Sequence, residues 1–97
     1  MSPSSAGADA RFALRPDAAR REVDGAYFFV TADRGMHRVA VASGVAIVRA
    51  LAEQPRTVDD LVGELAHRFD AEEATIRAET ERFLRMLLEK QIVEVRA

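Results

Sequence analysis

Ninety-seven residues make one domain at most, and the 48% of them that are apolar suffice for a core that must be mainly aliphatic, aromatics being 6%. Fourteen basic against sixteen acidic residues leave a net charge of −2, which gives no general attraction for nucleic acid or anionic lipid. The chain has no cysteine, which excludes disulfides, thiol nucleophiles and thiolate metal sites and makes a reducing cytoplasm the default compartment.

Met1 to about Ala10 is small and polar, without the basic start and apolar run of a signal peptide. A disordered tail is expected over residues 1–14, with Phe12 and Leu14 able to dock, and the folded domain over 15–97. Pro16-Asp17 breaks any regular element. Arg20 to Val23 reads as a first strand, and Asp24-Gly25 as the two-residue turn that matches strand twist. Tyr27 to Thr31 is the strongest strand signal, aromatic and β-branched throughout. Asp33-Arg34-Gly35 is a second turn, and Met36 to Ala42 returns as a third strand.

The period then changes from two to three and four. Ser43 is placed to cap a helix beginning near Gly44, with Val45, Ile47, Val48 and Leu51 on its apolar side and Pro55 at its end. Thr57-Val58-Asp59-Asp60 has the form of a capping box, and Val58, Leu61, Val62, Leu65 and Phe69 make the stripe of a second helix. Asp70-Ala71-Glu72-Glu73 predicts a similar start for a third helix, whose core stripe is Ile76, Thr80, Phe83, Leu84, Leu87 and Leu88. Glu73 with Arg77 and Glu81 with Arg85 are spaced for ion pairs along it. Gln91 to Val95 either pairs loosely or packs as a tail. No stretch approaches the roughly 18 apolar residues of a membrane span. The expected fold is α+β: a three-stranded antiparallel meander followed by three helices, the last two forming a helix-turn-helix, winged-helix-like with the β part first.

In this order the residues resemble the PqqD-like peptide chaperones, also called RiPP recognition elements, which serve ribosomally made and post-translationally modified peptides. The resemblance runs from Arg15 to Val95. It is carried by Arg-Pro-Asp at 15–17, Arg-Glu-Val-Asp-Gly at 21–25, Gly-Val-Ala-Ile-Val-Arg-Ala-Leu at 44–51 and Arg-Thr-Val-Asp-Asp-Leu-Val at 56–62. Phe69-Asp70, Glu-Thr-Glu-Arg-Phe-Leu at 79–84 and Ile92-Val93-Glu94 complete it. The family commonly carries Leu-Asn at the end of the third strand, where this chain has Ala40-Val41 or Val41-Ala42. The resemblance implies a non-catalytic module without a cofactor, which holds the leader region of a precursor peptide and presents it to a modifying enzyme. In the namesake system that enzyme is a radical S-adenosylmethionine protein. It further implies that the leader adds as a strand beside the third strand, against the third helix.

The physics of sheet edges points to the same place. Arg20, Arg21 and Glu22 guard the first strand against pairing, whereas Met36, His37, Arg38, Val39, Ala40 and Val41 carry one formal charge, no proline and several small side chains. The third strand's unpaired backbone groups are therefore the expected peptide site, with the chain's own tail or a second copy as alternative occupants. Thr75, Glu79, Arg82 and Met86 form one line on the third helix, either a wall of that site or a solvated face. Met86 would give it an adaptable apolar contact and Arg82 a fork for a carboxylate.

The rival readings are a small protein-interaction or dimerisation module and a degenerate winged-helix DNA-binding regulator. Against the regulator, the third helix sets Glu72, Glu73, Glu79, Glu81 and Glu89 against Arg77, Arg82, Arg85 and Lys90, the wrong balance for a phosphate-facing helix. Against an enzyme, His37 and His67 fall on different elements, Asp59-Asp60 is explained by a helix start, and the glycines form no phosphate loop. Phe28, Phe29 and Phe83 are expected in the core. No basic amphipathic helix suggests a membrane surface.

Overall fold

The computed structural model describes residues 10–96. Eight elements follow in chain order: β1 (Arg11–Leu14), β2 (Ala19–Val23), β3 (Ala26–Val30), β4 (Met36–Val39), α1 (Ala42–Glu53), α2 (Val58–Arg68), α3 (Glu73–Glu89) and β5 (Val93–Arg96). The expected α+β architecture is present, with an antiparallel sheet of order β2-β3-β4 and three helices after it. Two tight turns build the sheet. Asp24 (φ 53°) and Gly25 (φ 78°) make the two-residue hairpin between β2 and β3. Between β3 and β4 the Thr31 carbonyl accepts from the Arg34 amide (2.8 Å) and the Thr31 amide donates to Gly35 (2.9 Å). Arg34, at φ 67°, takes the left-handed position of this three-residue loop.

Strand alternation divides the sheet into two faces. Tyr27 and Phe29 point to the helices and are buried, their ring centroids 6.3 Å apart. They pack with Val48 and Leu51 of α1, Leu61 and Leu65 of α2, and Ile76, Leu84 and Leu87 of α3. Phe28, expected in the core, is 37% exposed where Phe29 is 1% exposed, because it stands on the opposite face.

The expected tail is corrected from Arg11 onward; residues 1–9 lie outside the described residues. Arg11–Leu14 is a strand, paired antiparallel with β5 in the register Phe12↔Val95 and Leu14↔Val93. On its other edge Phe12 exchanges two backbone hydrogen bonds with Arg56, at 2.7 and 2.9 Å. The C-terminal segment therefore pairs with β1, and Ile92 and Val93 are buried. The entry into β5 is sharp. Gln91 adopts φ 63°, and Ile92 and Gln91 donate to the carbonyls of Leu87 (3.0 Å) and Leu88 (3.1 Å). This is a Schellman motif with glutamine where glycine is usual, closed by the apolar contact its geometry favours between the buried Leu87 and Ile92.

Helix starts follow expectation at α2 and depart from it at the other two. Thr57 and Asp60 form the full capping box: the Asp60 amide donates to the Thr57 hydroxyl (3.1 Å) and the Thr57 amide to the Asp60 carboxylate (3.0 Å). Ser43 does not cap α1. Strand β4 ends at Val39 rather than Ala42, the N-cap is Val41 without a side-chain bond, and Ser43 lies inside the first turn. Asp70 does not cap α3 either; it stays in the link, and Glu72 is the N-cap, again without a side-chain bond. Arg77 reaches Glu73 (3.6 Å) and, at 2.8 Å, Asp59 at the start of α2. No ion pair joins Glu81 and Arg85 among the described residues.

Two measurements check these end-structures. Thr57→Ala should cost about 1 kcal/mol in urea unfolding, the usual loss for a hydroxyl cap. The Asp60 carboxyl is held below its ordinary value of 3.8, chiefly by the Thr57 amide. Its contribution is thus complete above that value and disappears as pH falls through the lower folded-state value. The destabilisation by Asp60→Asn should be greatest near neutrality and shrink in acid. Gln91→Gly should raise stability by about 0.5–1 kcal/mol by relieving the left-handed backbone of a side chain; a loss of stability would contradict the assigned motif.

Candidate functional site

Strand β4 is an edge of the three-stranded sheet; among the described residues its one sheet neighbour is β3. Thr31 and Gly35 are a hydrogen-bonded pair, so by the alternation of an antiparallel ladder Phe29↔His37 and Tyr27↔Val39 are too. The backbone N–H and C=O groups of Met36 and Arg38 therefore point away from β3. The turn that presents them is braced by Asp33, whose carboxylate accepts from the Thr31 hydroxyl and from the Gly35 amide (3.1 Å). The Thr31 hydroxyl, followed by the Gly35 amide, holds the Asp33 carboxyl below its ordinary value. Gly35 leaves room there for the His37 ring: a Cβ would stand 2.9 Å from its Nε2 and 3.1 Å from Oγ1 of Thr31, so a larger residue would displace the imidazole.

The chain leaving β4 and the helices beyond it enclose a groove of about 830 Å³. One wall is Arg38 to Ser43 with the first turn of α1. The opposite wall is α3, through Ile76, Glu79, Thr80, Arg82, Phe83 and Met86. Leu65 and Phe69 of α2 and its C-terminal end, with Asp70 and Ala71, close one end. The lining is chiefly apolar; its charged side chains are Asp70, Glu79 and Arg82, while Arg38 borders it from the strand with its guanidinium over Phe28 on the outer face. The uncapped first turn of α1 adds backbone amides near Ala42 and Ser43.

Gly44 sets the width of the groove. A Cβ on it would lie 3.0 Å from Cγ1 of Val39 and 3.1 Å from Cζ of Phe83. Strand end, first helix and third helix approach one another here because glycine has no side chain.

Seven of the ten residues expected in the site line this groove: Arg38, Val39, Ala40, Val41, Glu79, Arg82 and Met86. Met36 and His37 belong to the strand but not to the lining; Met36 is 77% exposed on the outer face. The His37 ring packs near its own turn, by the contact at Gly35. Thr75 is exposed and outside the groove. Sequence reasoning missed Gly44, Ile47, Leu65, Phe69 and Phe83, which periodicity assigned to helix starts and core stripes. The available signal was a glycine inside an apolar helical pattern, a common mark of close approach. Among the described residues no three His, Asp or Glu side chains are gathered to hold a metal ion. No helix there is long and apolar enough to cross a membrane.

The geometry defines a winged-helix-like α+β domain with an open sheet edge beside an apolar groove. Residues 40–93 match the family described as Coenzyme PQQ synthesis protein D (PqqD), and the chain belongs to that family. The resemblance read from the sequence is thereby borne out, the match covering the three helices and the groove lining from Ala40 onward. No curated protein matches the chain. Among solved structures the fold is similar to that described as "TbiB1 in Complex with the TbiA(beta) Leader Peptide", with a TM-score of 0.80 and 17% identity over 88% of this chain and 98% of that one.

Gly44→Ala tests the role assigned to the glycine. Helix propensity favours alanine by about 1 kcal/mol, and the half-buried Phe83 ring can yield only toward the groove. Stability should change by less than about 1 kcal/mol, while NMR signals of the Phe83 ring and Val39 methyls move. Unmoved signals would show that the groove width does not depend on this contact.

Proposed function

We propose that this protein is a non-catalytic peptide-binding partner, which captures the leader region of a ribosomally made precursor peptide and presents it to a modifying enzyme. The peptide adds as a fourth strand along β4. The observation that carries this reading is the coincidence of the free β4 edge with the mouth of the groove. Membership of the PqqD family supports it, as does the similar fold of TbiB1, a protein described in complex with a leader peptide.

Main-chain bonds from Met36 and Arg38 supply affinity, and alternate side chains of the added strand enter the groove. Val39, Ile76, Phe83 and Met86 offer apolar contacts, Met86 being the most adaptable. Arg82 and Glu79 on α3 select the charge at the rim, and Ala40 and Val41 shape the end of the strand. The site lies in the cytoplasm on this reading, where the peptide is made. A radical S-adenosylmethionine enzyme is the partner suggested by the namesake system.

The test is a titration with the leader region of a precursor peptide encoded beside this protein. Amide signals of Met36 to Val39 and of Ile76 to Met86 should shift together; shifts confined to α2 would exclude strand addition. Arg38→Pro removes an outward amide without touching the ladder to β3, and proline is tolerated on such an edge. It should fold and bind about threefold to tenfold more weakly, the worth of one net hydrogen bond. His37→Pro removes an inward amide and should instead destabilise the hairpin. If the edge is used by a second copy, sedimentation will show a dimer that leader peptide dissociates.

A further inference from the structure

The outer face of the sheet departs from the usual pattern of an antiparallel sheet with one solvated side. There, outward positions are ordinarily polar. Here β3 is apolar on both faces, Ala26-Tyr27-Phe28-Phe29-Val30, as in a strand covered on both sides. Val23, Phe28, Val30 and Met36 are all exposed on the outer face. The register sets Val30 beside Met36 in one row and makes a second row of Arg21, Phe28 and Arg38. The Arg38 guanidinium lies 6.0 Å from the Phe28 ring centroid.

The charge on this face has one sign. Arg21 and Arg38 are its only formal charges on the strands, and neither is in an ion pair among the described residues. Two of the neighbouring acids are engaged elsewhere: Glu22 points to the helix side and binds Arg49 at 2.8 Å, and Asp33 is folded into its own turn; the third, Asp24, lies off the strands, in the β2–β3 turn. An acidic protein with net charge −2 thus carries a locally basic, aromatic-centred face.

We infer that this face docks a second protein whose surface offers carboxylates on either side of an apolar recess for the Phe28 ring. A second copy of this chain fits poorly. A two-fold contact through the face would set the arginine-flanked row against itself, like charge to like. The inference goes beyond the peptide site, because the face exists whether or not the groove is filled.

The probe is a synthetic peptide alternating glutamate with leucine and phenylalanine, compared with the same peptide carrying lysine for glutamate. The acidic peptide should shift the signals of Arg21, Phe28, Val30 and Arg38 and leave Ile76 to Met86 unmoved; the lysine peptide should not bind. The doubly substituted Phe28→Ser, Val30→Thr protein alters exposed positions, and Arg21→Glu is a second variant remote from the groove. Each should weaken the acidic probe at least tenfold while leader-peptide binding at β4 is retained. The inference is overturned if the acidic peptide fails to bind, if it enters the groove, or if the variants bind it unchanged. It is equally overturned if phosphatidylglycerol vesicles, and not the peptide, shift this face, or if the Phe28→Ser, Val30→Thr protein loses a dimer seen by sedimentation.

Discussion

Three elements meet at a residue with no side chain, and the rest of the site depends on that contact. Gly44 lets the end of β4, the first turn of α1 and the Phe83 edge of α3 close to distances that any Cβ would make crowded. The same contact explains why β4 stops at Val39: the buried Val39 side chain is already seated against α1, so the chain has to turn within Ala40 and Val41. A short strand and an early helix are two consequences of one approach. The groove is what remains beyond it, floored by the apolar residues of all three helices.

The free edge of β4 depends in turn on what the chain does with its ends. A C-terminal segment of alternating apolar residues is a natural candidate to cover an open strand. Here β5 is committed to β1, and β1 is held on its other side by Arg56. The Schellman turn at Gln91 directs the chain into that ribbon as it leaves α3. The described part of the chain thus ties its own C-terminal strand down on the side of α1 and the α1–α2 link, not along β4.

Much of the fold was legible because local signals agreed with the tertiary outcome. Asp24-Gly25, the Tyr27 to Thr31 run, the Thr57 capping box and the stripes at threes and fours each specify structure over a few neighbours. The failures have a common physical cause, since each was decided by a distant partner. Arg11–Leu14 is too short to declare itself a strand, and its pairing partner lies at the other end of the chain. Ser43 and Asp70 are good capping residues by type, but packing at Gly44 and the Phe69–Ala71 link moved the helix starts away from them. Three of the four residues of the α3 line, Glu79, Arg82 and Met86 of the groove rim, could be read from spacing. Thr75 could not be distinguished from it, because where the groove ends is set by Phe69 and Ala71 on another segment.

Strand addition and the outer face are geometrically linked through β4. That strand turns its spare backbone groups toward the groove and its Met36 and Arg38 side chains toward the outer face. A peptide added at the edge extends the sheet by one strand, so its side chains alternate between the groove and the same outer face. In the proposed complex a protein seated over Phe28 would meet the sheet and one side of the peptide as a continuous surface. Recognition of the leader would then enlarge the surface available to the second protein, and binding of either would favour the other by the contacts they share. On the proposed reading, presentation of a peptide would require no conformational switch. It would follow from adding a strand to a sheet whose second face is already apolar and positively charged.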